Sequence, residues 1–89
     1  MKWESVLRDA VKDGKIKAVQ LKNVPVLKNC DNWKTVEVLG WLDYQAKSVH
    51  YRGILVHLNG KIFFVKQTTF DAIRKFLNLG HVSKIEVVQ

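Results

Sequence analysis

The stretch that decides the fold is Ser48-Val49-His50-Tyr51-Arg52-Gly53-Ile54-Leu55-Val56-His57-Leu58-Asn59-Gly60-Lys61-Ile62-Phe63-Phe64-Val65-Lys66-Gln67. Two runs rich in β-branched and aromatic residues, 49–58 and 61–67, flank Asn59-Gly60. Asn-Gly supplies the two positive φ angles of a type I′ turn, the favoured two-residue hairpin loop. That turn sets Leu58 opposite Lys61, Val56 opposite Phe63, Ile54 opposite Val65 and Arg52 opposite Gln67. The other face then carries His57 with Ile62, Leu55 with Phe64, Gly53 with Lys66 and Tyr51 with Thr68. Near the turn both faces are apolar. Such a hairpin needs cover on both sides, either mid-sheet or against a second copy of the chain as a homodimer.

Upstream, Thr35 to Tyr44 alternates Val36, Val38, Leu42 and Tyr44 against Thr35, Glu37 and Asp43, the period of a half-buried strand. Gly40 interrupts it, which predicts a bulge or a close backbone neighbour. Downstream, Thr68-Thr69-Phe70-Asp71 reads as a helix start with a hydroxyl cap. Phe70, Ile73, Phe76 and Leu77 form the apolar stripe, and Gly80 the stop. Ile85, Val87 and Val88 in the closing stretch 83–89 predict a last strand.

At the other end Trp3, Val6, Leu7, Ala10 and Val11 make the one-sided stripe of an amphipathic helix, stopped by Gly14. Residues 15–22 alternate unevenly and read as an extended run. The pieces 19–23 and 25–29 look alike at a six-residue offset, by coincidence or as two edge segments, with Pro25 arguing against a central strand. The prediction is therefore an α+β fold, one small domain over 1–89. It has an antiparallel-rich sheet of four to five strands with one helix near each end, in the order α-β-β-β-β-α-β.

The chain has 89 residues, 47% hydrophobic and 26% charged, a folding composition with one small core. No apolar run reaches a membrane span, and no charged stretch leads into a signal-like apolar one. The chain reads as an intracellular, cytoplasmic protein or a cleanly cut domain. Cys30 is alone, so no intramolecular disulfide and no cysteine-based zinc site can form. His50 and His57 are an odd number apart on one strand and face opposite ways unless Gly53 is a bulge; His81 follows the helix stop. The eight carboxylates are scattered, and the five glycines stand singly, so no phosphate loop exists. No metal site or cofactor is expected, and no catalytic set can be named; a small basic nuclease with His50, His57 or His81 as a lone general base stays open as a third reading.

What remains is positive charge among aromatics. Fifteen Lys+Arg stand against eight Asp+Glu, a net charge of +7. Residues 44–70 carry Lys47, Arg52, Lys61 and Lys66 with no acid, beside Tyr44, Tyr51, Phe63, Phe64 and Phe70. Lys15, Lys17 and Lys22 add a second basic edge. This pattern predicts non-catalytic binding of DNA or RNA on a sheet surface, with lysines and Arg52 on phosphates and Tyr51 or Tyr44 stacking on bases. The alternative is an adaptor or inhibitor that binds an acidic protein through Trp33, Trp41 and Tyr44. Against both stands a plainer account, in which the aromatics are core and the lysines block edge pairing and keep the chain soluble.

Overall fold

The computed structural model describes residues 2–89. At its centre β3 (His50–Leu58) and β4 (Lys61–Lys66) are joined by Asn59-Gly60, whose φ angles of 51° and 82° are those of the type I′ turn. The predicted register holds from Gly53–Lys66 to Leu58–Lys61. The two outermost predicted pairs, Arg52–Gln67 and Tyr51–Thr68, do not form, because the chain enters helix α3 (Gln67–Ile73) directly after Lys66. Gly53 is where this departure begins. A Cβ there would stand 2.0 Å from the carbonyl oxygen of Val65 and 3.1 Å from the amide nitrogen of Gln67.

Strand β2 (Glu37–Gln45) lies antiparallel on the other edge of β3, giving the sheet order β2-β3-β4. A bulge between Val38 and Gly40 leaves Leu39 unpaired and shifts the alternation by one. The reading that put Val36, Val38, Leu42 and Tyr44 on one face is therefore corrected. Val36 and Val38 pack into one core, Leu42 and Tyr44 into the other. The close neighbour predicted at Gly40 is the C-terminal segment. A Cβ at Gly40 would lie 2.6 Å from Ile85 Cδ1, and Trp41 brackets that segment by donating to Ser83 O (3.0 Å) and accepting from Ile85 N (2.7 Å).

Both faces of the sheet are covered by elements of the chain itself. On one side α1 (Lys2–Lys12) sets Leu7 and Val11 against Leu42, Leu55, Ile62 and Phe64. On the other, Phe70 and Ile73 of α3 and the following Leu77 pack over Ile54, Val56 and Val65. Leu55 and Val56 are sequence neighbours and both fully buried, in different cores.

The predicted element order needs correction. After α1 come β1 (Lys15–Lys17) and a short helix α2 (Ala18–Lys22), where an extended run was expected. Gln20 accepts a hydrogen bond from Lys17 N (2.9 Å) and starts the turn. The result buries Leu21 and leaves Val19 63% exposed, although a strand would set both on one face. Residues 25–27 form no strand, only a bridge of Val26 to Phe64 on the free edge of β4. The last strand is short, β5 (Glu86–Val88), and pairs parallel with β1 in a second, two-stranded sheet. The observed order is α-β-α-β-β-β-α-β, with two sheets. The C-terminal helix also stops early. A 3₁₀ turn at Arg74–Phe76 replaces its last turn, rotating Phe76 outward while Leu77 stays in the core.

Candidate nucleic-acid interface

The bulge in β2 has a consequence at the surface. By shifting the alternation it turns Trp41 and Asp43 toward the α3 side, opposite Ile54 and Arg52. There the sheet, α3 and the irregular chain after it enclose a cleft of about 600 Å³. Buried Leu42 and Ile54 lie at its base, and Trp41, Phe70, Leu79 and Val82 line it; Asp43, Arg52, Gln67 and Arg74 supply its polar groups. Trp41 is 41% exposed, one of the large apolar side chains at the surface.

A second depression of about 360 Å³ adjoins the first, and Arg52 and Gln67 line both. It adds Val49, His50, Tyr51 and Lys66, with Phe64 beneath. Two cations stand over aromatic rings here: Lys84 Nζ is 5.4 Å from the Trp41 centroid, and Arg74 Cζ 5.7 Å from that of Phe70. Arg52 and Arg74 line the cleft, Lys66 the adjoining depression, and Lys84 stands on the Trp41 ring; the acids among them, Asp43 in the cleft and Asp71 on α3, keep their charge and are hydrogen-bonded within the protein. Asp43 accepts a hydrogen bond from His50 Nε2, and Asp71 accepts one from Gln67 Nε2 at 2.9 Å. The His50 hydrogen bond holds the Asp43 carboxyl below the ordinary carboxylate range; desolvation opposes it, and the charges of His50, Arg52 and Lys84 reinforce it.

Of the residues named from sequence for nucleic acid, Tyr51, Arg52 and Lys66 come together in the second depression. Tyr51 meets Phe64 edge-to-face at 5.6 Å and packs on the α1 core, so it is a wall more than a free stacking platform. Lys47 is exposed on the turn between β2 and β3, two residues before Val49. Lys61 sits at the far end of β4, five residues or about 17 Å from Lys66. Lys15, Lys17 and Lys22 belong to β1 and α2, and Lys15 pairs in register with Glu86. None of the three lines either depression. The alternative anchors also separate: Trp33 packs on the α3 core, Tyr44 on the α1 core, and Trp41 lines the cleft.

Sequence reasoning missed Arg74 and Lys84, and it named Phe70 only in the helix stripe and among the aromatics of the basic window. Phe70 and Arg74 are four apart on a helix, a spacing that stacks one side chain over the other and could have revealed the pair. Nothing local marked Lys84. It reaches Trp41 through the bridge between the two residues.

The histidines fall as the odd spacing requires. The register runs unbroken through Gly53, so His50 bonds Asp43 on the α3 side while His57 faces α1 and accepts from Arg8 Nη1 at 2.9 Å. Glu37 lies 3.6 Å from both Arg8 and His57. Among the described residues no group of three or more His, Cys, Asp or Glu could hold a metal ion, and no helix is long and apolar enough to cross a membrane. No protein-family model, curated protein or solved structure matches this chain.

Proposed function

We propose that this protein binds nucleic acid without catalysing a reaction on it, through the strip formed by the two adjoining depressions. The observation that carries the reading is the placement of Arg52, Arg74 and Lys84 around the exposed Trp41 and the half-buried Phe70, with Lys66 in the adjoining depression, so that cations outnumber the one acid of the cleft, Asp43. Arg52 and Arg74 present planar donor forks that match phosphate oxygens, and Lys66 and Lys47 extend the positive track toward the β2–β3 turn. The rings offer stacking surface that every base can use. Lys61, Lys15, Lys17 and Lys22 strengthen the long-range attraction without contributing contacts.

The test is a salt titration of binding to a labelled oligonucleotide of mixed sequence. Each neutralised phosphate releases counterions, so log K falls against log salt with a slope of roughly 0.7 to 0.9 per contact. Three or four contacts from the strip give a total slope of about −2 to −4. An affinity that stays flat between low and high salt overturns the reading.

The exposure of Trp41 supports one second reading, an acidic protein partner with this ring as anchor. A complex recovered from extract that survives nuclease digestion, together with no oligonucleotide binding, would favour that partner instead.

A further inference from the structure

The shape of the first cleft narrows the kind of nucleic acid. We infer that it receives one unpaired base, so that the protein prefers single strands to duplex; the inference rests on the nucleic-acid reading above.

In a duplex the base edges lie at the floor of grooves, and proteins read them with an element that protrudes, a helix or a two-stranded ribbon. This surface does the opposite. It is recessed, lined by Phe70, Leu79, Val82 and the exposed Trp41, with Arg74 and Lys84 each over one face of a ring and Asp43 as the one acid of the lining. A duplex laid across it would touch the cations with its phosphates and leave Trp41, Phe70 and Leu79 without partners. An unpaired nucleotide fits both layers. Its base has apolar faces that stack on aromatic rings, and its flanking phosphates meet arginine and lysine. A volume of about 600 Å³ is that of a small-molecule pocket, large enough for one base and its sugar. Lys84 stands over one face of the Trp41 ring, 5.4 Å from its centre, so a base stacks on the opposite face while the ammonium meets a flanking phosphate. Gln67 supplies an uncharged amide in the lining that can hydrogen-bond a base edge. The second depression, sharing Arg52 and Gln67, continues the track for the next stretch of backbone.

The experiment compares a 12-nucleotide oligo(U) and oligo(dT) with a 12-base-pair duplex, at one salt concentration, on the full chain and on Trp41→Leu, Trp41→Phe and Arg74→Gln. The wild-type protein is expected to bind at least one single strand about tenfold more tightly than the duplex. Trp41→Leu should lose about tenfold on the single strand, the order of one lost base–aromatic stack, with little change on the duplex. Trp41→Phe should recover most of that loss, which a purely structural role for the indole would not produce. Arg74→Gln, a change at an exposed side chain, should weaken the single strand and lower its salt slope by about 0.7. Equal affinity for strand and duplex, or a Trp41→Leu variant that binds the strand as wild type does, overturns the unpaired-base inference while leaving salt-dependent nucleic-acid binding intact. Failure to bind any of the three probes overturns both.

Discussion

Asp43 ties the candidate site to the stability of the sheet. It sits opposite Arg52 in the β2–β3 ladder, accepts from His50 and feels the charges of Arg52 and Lys84. A carboxylate whose folded pKa is depressed contributes stability above the unfolded value, near 4, and loses it as the pH falls through the folded value. The wild-type urea midpoint should therefore drop on the acid side of about pH 4 more than that of Asp43→Asn. Identical acid limbs would remove Asp43 from the account. The residue-level features were unevenly legible. The Asn59-Gly60 turn was readable because its φ requirement belongs to two adjacent residues. The Asp43–His50 pair was not, because it depends on a bulge four residues upstream that fixes which face Asp43 takes.

At the scale of elements, β3 has no wet face at its middle. Leu55 and Val56 are both fully buried, against α1 on one side and α3 on the other. In a strand with one solvated side, one of two adjacent truncations is cheap. Here Leu55→Ala and Val56→Ala should each cost about 2 kcal/mol or more, measured by chemical denaturation, because each leaves a cavity in a closed core. A Val56→Ala variant as stable as wild type would mean that α3 does not cover that face. The two-faced apolar pattern made this strand legible. The short helix α2 was not: five residues have no helical period to detect, and a single turn persists only when packing, here of Leu21, holds it. The early end of α3 has the same character. Phe70, Ile73, Phe76 and Leu77 are spaced for a continuing helix, but the chain must descend toward Gly40 and Trp41, and the 3₁₀ turn begins that descent.

Over the whole molecule, the excess of positive charge divides into cations that share the strip and cations that do not. Arg52 and Arg74 line the cleft, whereas Lys61 stands beyond the Asn59-Gly60 turn at the opposite end of the hairpin. Arg52→Gln and Arg74→Gln should each reduce the salt slope of binding by about one phosphate contact, and Lys61→Gln should leave the slope unchanged. Equal effects from all three would mean that only net charge matters and that the strip has no special role.

The sequence by itself determined the hairpin and its register, the amphipathic first helix, the interruption at Gly40 and the opposite facing of His50 and His57. Each depends on local backbone geometry, a turn's φ angles or a period of two or 3.6, which a few neighbouring side chains express. The tertiary structure alone decided the separate parallel pairing of β1 with β5, the helix at 18–22 and the membership of the site. Trp41, Arg52, Phe70, Arg74 and Lys84 come from β2, β3, α3, the 3₁₀ turn after it and the segment that bridges to Trp41 before β5. Nothing local relates residues so far apart along the chain. They share one surface because the β2 bulge turns Trp41 toward α3, and because Gly40 leaves room for the C-terminal segment to carry Lys84 over its ring.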